Sequence, residues 1–258
     1  MGDSTTVVEA TPAAAGEAKG MSLNDTVNLI YAHPGRVFEA LRERPRFLAA
    51  ALIGAASSTV YAVLLALTFG YENLMRAVIL SNANLSPEVR QQATSPEALR
   101  RMLVTQIIYM VIGFVLWFGV GGWLYRLGAT AAGGVATYAQ TLAVWTYSGL
   151  PPVVISSLLN VVLLFLKAPG VAIAARTFRY GGLAQLYFSR ALVDAAAHPV
   201  LAALLQTVEP FSLYGLFLAA LGLRKVARLS GVQSWAVVLT FFCMRALFTV
   251  LTVSLLPS

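Results

Sequence analysis

Few residues of this chain are suited to catalysis. The two histidines, His33 and His198, each precede a proline, and the single cysteine, Cys243, lies in an apolar run near the end. No group of histidine, cysteine and carboxylate residues has the spacing of a metal site, and no serine lies in a Gly-x-Ser-x-Gly elbow. The sequence also lacks a phosphate-binding P-loop and a dinucleotide fingerprint. We therefore predict no enzyme activity, no catalytic residue, no metal and no cofactor.

One charged residue, Arg245, lies near the middle of the last apolar run, 234–254. A charge at the centre of a bilayer costs at least about 2.5 to 3.5 kcal/mol unless it is paired or hydrated. We therefore expect Arg245 to face the interior of a helix bundle, with Glu209 as its candidate ion-pair partner. Such a pair is suited to transport or proton-linked chemistry. The structural alternative is that the guanidinium hydrogen-bonds backbone carbonyls that a helix kink leaves free.

A kink is predicted in the longest uncharged stretch, the 40 residues from 127 to 166. Pro151 and Pro152 lie within it, and each lacks a backbone N–H and clashes with the preceding turn. The carbonyls left free near Tyr147 must find partners in neighbouring helices or water, because lipid has none to offer. The polar side chains of this helix are expected to hydrogen-bond other helices rather than a substrate; they are Gln140, Thr141 and Asn160.

The composition places the chain among membrane proteins. Apolar residues make up 58% of the 258 residues, charged residues only 11%, and the mean hydropathy is +0.74. The net charge of +7 comes from basic residues that flank apolar runs, where they contact headgroups and set orientation. This placement argues against nucleic acid as a partner. The expected partners are the lipid bilayer and either other membrane proteins or further copies of the chain.

We predict an all-α fold: a polytopic bundle of five transmembrane helices, preceded by amphipathic surface helices. A helix needs about 20 apolar residues to cross a bilayer, and five runs approach or exceed that length. Residues 1–20 lack large apolar groups and are predicted to form a disordered tail, whereas residues 21–258 form one integral membrane domain. The predicted spans are 47–69, 102–125, 136–166, 210–227 and 234–254.

The fourth predicted span is the shortest. Only 14 residues between Glu209 and Arg224 are uncharged, which is about 21 Å of helix at 1.5 Å per residue. In the interpretation that we favour, the segment still crosses the bilayer because the long side chains of Arg224 and Lys225 extend towards the headgroups. In the other, the span begins near Ala195 and is broken at Glu209 and Pro210.

Short helices are predicted ahead of the first two spans. Before the first, apolar residues recur with helical spacing among four arginines, which indicates two amphipathic helices on the membrane surface. A soluble cap packed against the ends of the spans is the alternative. Before the second, Ser-Pro-Glu occurs at 86–88 and again at 95–97. Serine as N-cap, proline at the first helical position and an acid in the first turn mark two helix starts.

Small residues at every fourth position mark one face of the first span. Such a face lets a second helix approach closely, so we predict that it packs inside the bundle. Its members are Ala50, Gly54, Ser58, Ala62 and Ala66.

Basic residues predict the orientation of the bundle. Four arginines precede the first span, and Arg224, Lys225 and Arg228 form a second cluster on the same side of a five-span arrangement. Because basic residues accumulate on the cytoplasmic side, we predict a cytoplasmic N-terminus and an external C-terminus, in an inner or plasma membrane.

Three features of the sequence resemble the Yip family of five-span membrane proteins. They are a surface helix with Pro34 and Phe38, a kinked span with Tyr-Ser-Gly-Leu-Pro at 147–151, and LFLAALGLRKVARLS at 216–230 before one last span. The resemblance covers about residues 23–256 and implies five helices with a cytoplasmic N-terminus. For eukaryotic members it also implies a role in vesicle traffic with Rab-type GTPases and other family members. The acidic, proline-containing cytosolic motif of those members is not recognisable here, so the chain is similar to a prokaryotic-type member.

From these features we predict a non-enzymatic membrane protein that organises membranes or scaffolds partner proteins. The alternative is a transporter of a small molecule or lipid that works through the kinked third span and Arg245. A polar cavity that reaches both Arg245 and Tyr147 from one side would favour transport, whereas a closely packed bundle would count against it.

Overall fold

The computed structural model describes residues 21–80, 82, 85–167, 170–171, 173–174, 198–208 and 210–255. The predicted N-terminal tail lies outside them. These residues form ten α-helices and no strand, so the all-α prediction is confirmed for them. In chain order the helices are α1 (Leu23–Ala32), α2 (Pro34–Glu43), α3 (Leu48–Phe69), α4 (Tyr71–Leu80), α5 (Pro87–Ala93), α6 (Pro96–Ala131), α7 (Tyr138–Lys167), α8 (Pro199–Thr207), α9 (Pro210–Val226) and α10 (Gly231–Leu255).

Four of the described helices, α3, α6, α7 and α10, are long and apolar enough to cross a membrane. The sequence predicted a fifth span at α9, but this helix has only 17 residues, about 26 Å at 1.5 Å per residue. It is packed among other helices, and Leu218, Ala219 and Leu223 are buried. Helix α8 ends at Thr207, just before α9, as in the broken-helix alternative. A crossing by α9 remains a prediction.

Helix α7 is the centre of the bundle. It packs against α3, α6 and α9, while α10 packs against α8, α9 and α6. The main core lies between α7 and α9 and is extended by α2, α6 and α10. Its largest fully buried side chains are Ile30, Phe38, Leu41, Tyr147, Leu150, Leu218 and Leu223.

The two N-terminal helices are present, but α2 turns its apolar face into the bundle. Val37, Phe38 and Leu41 are at most 2% exposed, and α2 packs against α9 and α7. A fully buried large apolar side chain contributes about 1.5 to 3 kcal/mol. Glycine at 222 makes room for this packing, because a Cβ there would lie 2.9 Å from Phe38 Cε1. The apolar face of α2 is therefore covered by protein, which agrees with the cap alternative, and a position of this helix on the membrane surface stays a prediction.

The two helix starts predicted from Ser-Pro-Glu are confirmed. Ser86 Oγ accepts a hydrogen bond from the Val89 N–H, and Ser95 Oγ accepts one from the Ala98 N–H, each at 3.4 Å. Because the second start lies ahead of the apolar run, α6 has 36 residues, a length of about 54 Å. Helix α4, which the sequence analysis did not identify, packs beside α5 and the start of α6.

Candidate functional site

The start of α7 is tied to α2. The Gln140 N–H donates to Thr137 Oγ1 at 3.3 Å, and the Thr137 N–H donates to Gln140 Oε1 at 2.8 Å, which forms a capping box. The spare amide of Gln140 donates through Nε2 to the Arg42 carbonyl at 2.6 Å, near the end of α2. Gln140 therefore caps its own helix and holds α2 against it.

The start of α10 repeats this arrangement, which the sequence analysis missed. The Ser230 N–H donates to Gln233 Oε1 at 2.9 Å, the Gln233 N–H donates to Ser230 Oγ at 3.2 Å, and Gln233 Nε2 donates to the Ala132 carbonyl of the α6 C-cap at 2.9 Å. A backbone bond of 3.1 Å from the Val135 N–H to the Ala227 carbonyl joins the same region. A signal for this site was present, since both starts read Ser/Thr-x-x-Gln before an apolar run.

Helices α6 and α7 approach closely at a glycine. A Cβ added at Gly122 would lie 2.9 Å from the backbone Cα of Leu142. Thr141 Oγ1 donates to the Gly122 carbonyl at 2.9 Å, and the Tyr138 hydroxyl donates to the Gly119 carbonyl at 3.0 Å. The polar side chains at the start of α7 thus hydrogen-bond backbone carbonyls of other helices.

Pro151 and Pro152 lie inside α7, and the helix continues through them. The Ser148 carbonyl loses its helical donor because Pro152 has no N–H. Helix α9 approaches this point, since a Cβ added at Gly215 would lie 3.4 Å from the Ser148 carbonyl oxygen and 3.1 Å from Pro152 Cγ. The glycine therefore lets the α9 backbone cover the carbonyl that the proline leaves free.

Tyr147, one turn before the prolines, is enclosed in the core. Its side chain is 0% exposed, and its hydroxyl has no hydrogen-bond partner among the described residues. An unpaired buried hydroxyl costs about 1 to 3 kcal/mol. Asn160, three turns further along α7, is buried as well. Tyr147 is thus a packed core residue rather than part of an open path.

The small-residue face of α3 packs on α7 at its beginning. Ala50 and Gly54 are buried, and a Cβ added at Gly54 would lie 3.9 Å from Val153 Cγ1. Each step of four residues advances about 40° beyond a full helical turn, so the stripe rotates away from α7. The later members are half-buried or exposed; they are Ala62, Ala66 and Ser58.

Arg245 lies on α10 with its side chain exposed. The interior position expected for it is not observed. Arg245 lies seven residues, about two turns, after the buried Val238 and so on nearly the same face of α10, but this part of the helix is exposed. Its candidate partner, Glu209, lies outside the described residues. The structure therefore does not bring Arg245 and Tyr147 together.

A groove of about 720 Å³ lies between α4, α5 and the start of α6. Neither Arg245 nor Tyr147 lines it. The sequence analysis did not foresee this groove, because its walls come from three separate helices. Over the described part of the chain, no group of three or more His, Cys, Asp or Glu residues is placed to hold a metal ion.

Several apolar helices long enough to cross a bilayer, packed around a central helix, define a multi-pass integral membrane protein. The model of the Yip1 domain matches residues 28–253, which is most of the chain. The protein belongs to the Yip1 family, and the resemblance seen in the sequence is confirmed. No curated protein and no solved structure matches it.

Proposed function

We propose that this protein has a non-catalytic role as a membrane scaffold, with α1 and α2 as a cytoplasmic platform for partner proteins. The burial of the apolar face of α2 carries the proposal. Since that face is occupied by α7 and α9, the outward side of the helix is polar and available to partners. The exposed side chains of α2 are Arg36, Glu39 and Glu43, and Arg44 follows at its C-cap.

The contacts of α2 hold this platform in one orientation. Lys225 Nζ lies 2.5 Å from Glu39 Oε1, and Arg46 Nη1 donates to the Met21 carbonyl at 3.4 Å. Together with the bond from Gln140 to the Arg42 carbonyl, these contacts hold α2 at its middle and near its C-terminal end. A preorganised surface binds partners at a lower entropic cost. Family membership supports the proposal too, because the trafficking role implied for eukaryotic members involves partner proteins.

Transport through α7 and Arg245 has less support. Tyr147 is enclosed in the core, and Arg245 lies exposed on a helix that packs mainly against α8 and α9. A path that uses both residues would need a rearrangement of the described helices. We therefore prefer the scaffold.

The experiment compares partners captured from native membranes by tagged full-length protein. The double variant Arg36→Glu and Arg44→Glu reverses two charges of the platform and is expected to lose specific partners. The control double variant, Arg76→Glu and Arg100→Glu, also reverses two charges. Both residues follow α3 in the chain, a helix of 22 residues that is about 33 Å long. The control is expected to keep all partners. The proposal fails if the platform variant retains the wild-type partner set, or if both variants lose the same proteins.

A further inference from the structure

The groove between α4, α5 and α6 has no part in the proposed scaffold. Its volume of about 720 Å³ is within the range of about 300 to 1,000 Å³ that holds small molecules. One wall is a single face of α6, with Ala98, Met102, Thr105 and Tyr109 at intervals of four, three and four residues. Helices α4 and α5 contribute side chains to the other parts of the lining.

The groove lies where α6 enters the apolar part of its sequence. Glu97 and Arg101 precede the apolar run, which begins at Met102. Gln106 and Tyr109 lie up to two turns further, about 10 Å along the helix. One end of the groove is therefore at the level of lipid headgroups, and the other is beside the acyl chains.

The groove presents one negative and one positive side chain that are not paired with each other. Glu97 and Arg101 both line it and are four residues apart on α6, a spacing at which opposite charges commonly pair. Among the described residues, however, the ion pair found is that of Lys225 with Glu39. Both charges of the groove are therefore available to a ligand that carries the opposite pair.

We propose that this groove binds a phospholipid with an ethanolamine headgroup. The Arg101 guanidinium binds the phosphate, the Glu97 carboxylate accepts from the primary ammonium, and Gln106 and Tyr109 donate to the ester oxygens below. A choline headgroup has no N–H to donate to Glu97, and a glycerol headgroup has no positive charge. The charge pattern and the depth of the groove thus select one class of lipid. The inference does not depend on the scaffold function.

The test measures lipid binding to full-length protein in detergent by native mass spectrometry. Phosphatidylethanolamine, phosphatidylcholine and phosphatidylglycerol with identical acyl chains are compared. We expect the ethanolamine lipid to bind about tenfold more tightly than the other two, which is the effect of one charge-assisted hydrogen bond. Equal binding of all three lipids, or a preference for the glycerol headgroup, overturns the proposal.

Matched variants assign the two charges. Glu97→Gln is expected to remove the preference for phosphatidylethanolamine over phosphatidylcholine. Arg101→Gln is expected to weaken the binding of these two lipids by about tenfold. The controls are Glu88→Gln, at the same position of the preceding Ser-Pro-Glu start, and Arg100→Gln, the neighbour of Arg101. Neither control residue lines the groove. If Glu97→Gln binds lipids as the Glu88→Gln control does, Glu97 is not the recognition residue and the proposal is wrong.

A second measurement uses the wild-type protein and therefore tests the proposal even if the variants do not fold. A photoreactive phosphatidylethanolamine is cross-linked, and the labelled peptide is identified. Labelling within residues 97–109, or at Met75 or Gln92 on the other walls, supports the groove, and labelling confined to residues outside its lining contradicts it. Soluble glycerophosphoethanolamine is added as a competitor. If it binds as tightly as the lipid, the ligand is a free headgroup and the assignment to a membrane lipid is overturned.

Discussion

At the starts of α7 and α10, a glutamine three residues after the hydroxyl N-cap serves two helices at once. Gln140 and Gln233 accept from the N-cap backbone through Oε1 and donate through Nε2 to a carbonyl near the end of another helix. The ends of a helix leave backbone groups without intrahelical partners. Each glutamine pairs with an N–H at the start of its own helix and with a carbonyl near the end of another helix. The sequence identified Gln140 as an interhelical residue, but its acceptor, Arg42, lies 98 residues away in the chain.

Replacing Gln140 by Ala should lower the free energy of unfolding by about 1 to 2 kcal/mol, because two hydrogen bonds are lost at a half-buried position. Thermal unfolding in detergent, with wild type measured alongside, provides the comparison. Gln91→Ala on α5 is the control, since that side chain is exposed; its effect should stay within about 0.5 kcal/mol. Equal effects of the two variants would show that the bond to α2 contributes nothing.

Two glycines of α6 give a second prediction. An added Cβ at Gly122 meets the backbone of Leu142 at 2.9 Å, whereas nothing lies within 4 Å of one at Gly113. Gly122→Ala should therefore destabilise the protein by about 1 to 3 kcal/mol. Gly113→Ala should stabilise it by up to about 1 kcal/mol, because alanine favours the helix. Unfolding temperatures that shift in the same direction would contradict the close approach of α6 and α7.

At the scale of the element, α2 shows why amphipathic pattern does not decide what a helix contacts. Its apolar residues have the same spacing whether they meet lipid or protein. The bundle provides a site for them because Gly222 leaves space for Phe38 between α7 and α9. The apolar face is therefore covered by protein, and the polar face remains at the surface.

The contribution of each face of α2 can be compared directly. Phe38→Ala should cost about 3 to 5 kcal/mol, because it removes a fully buried aromatic side chain. Glu39→Gln should cost no more than about 1 kcal/mol, since the ion pair with Lys225 is substantially exposed to solvent. Chemical unfolding in mixed micelles distinguishes the two. If the larger loss comes from Glu39→Gln, electrostatic attraction rather than burial attaches α2 to the bundle.

At the scale of the whole molecule, the contacts of α9 fix its direction relative to α7. Gly215 approaches Pro152, and Gly222 approaches Val144. The Ala227 carbonyl, just after α9, accepts a hydrogen bond from the Val135 N–H in the segment that precedes α7. Helix α9 therefore runs antiparallel to α7 and returns the chain to the end at which α7 begins.

This arrangement predicts that α1 and the start of α10 lie on one side of the membrane and α5 on the other. Single cysteines are introduced in a Cys243→Ser background at three exposed positions, Asn24, Val232 and Gln91. In sealed vesicles, a reagent that does not cross the membrane should label the Asn24→Cys and Val232→Cys variants from the same side. The Gln91→Cys variant should react from the opposite side. Labelling of Asn24→Cys and Val232→Cys from opposite sides would mean that α9 does not return the chain across the bilayer.

The sequence by itself determined the class of protein, its long apolar helices, the two Ser-Pro-Glu helix starts and the Yip1 family. These properties depend on local composition and on capping within a few residues, so they can be recognised without the rest of the chain. Only the tertiary structure decided that α2 packs against protein, that Gln140 bonds Arg42, that Arg245 is exposed, and that Glu97 and Arg101 share a groove with α4 and α5. Each of these depends on which helix faces meet, and residues far apart in the chain determine that together.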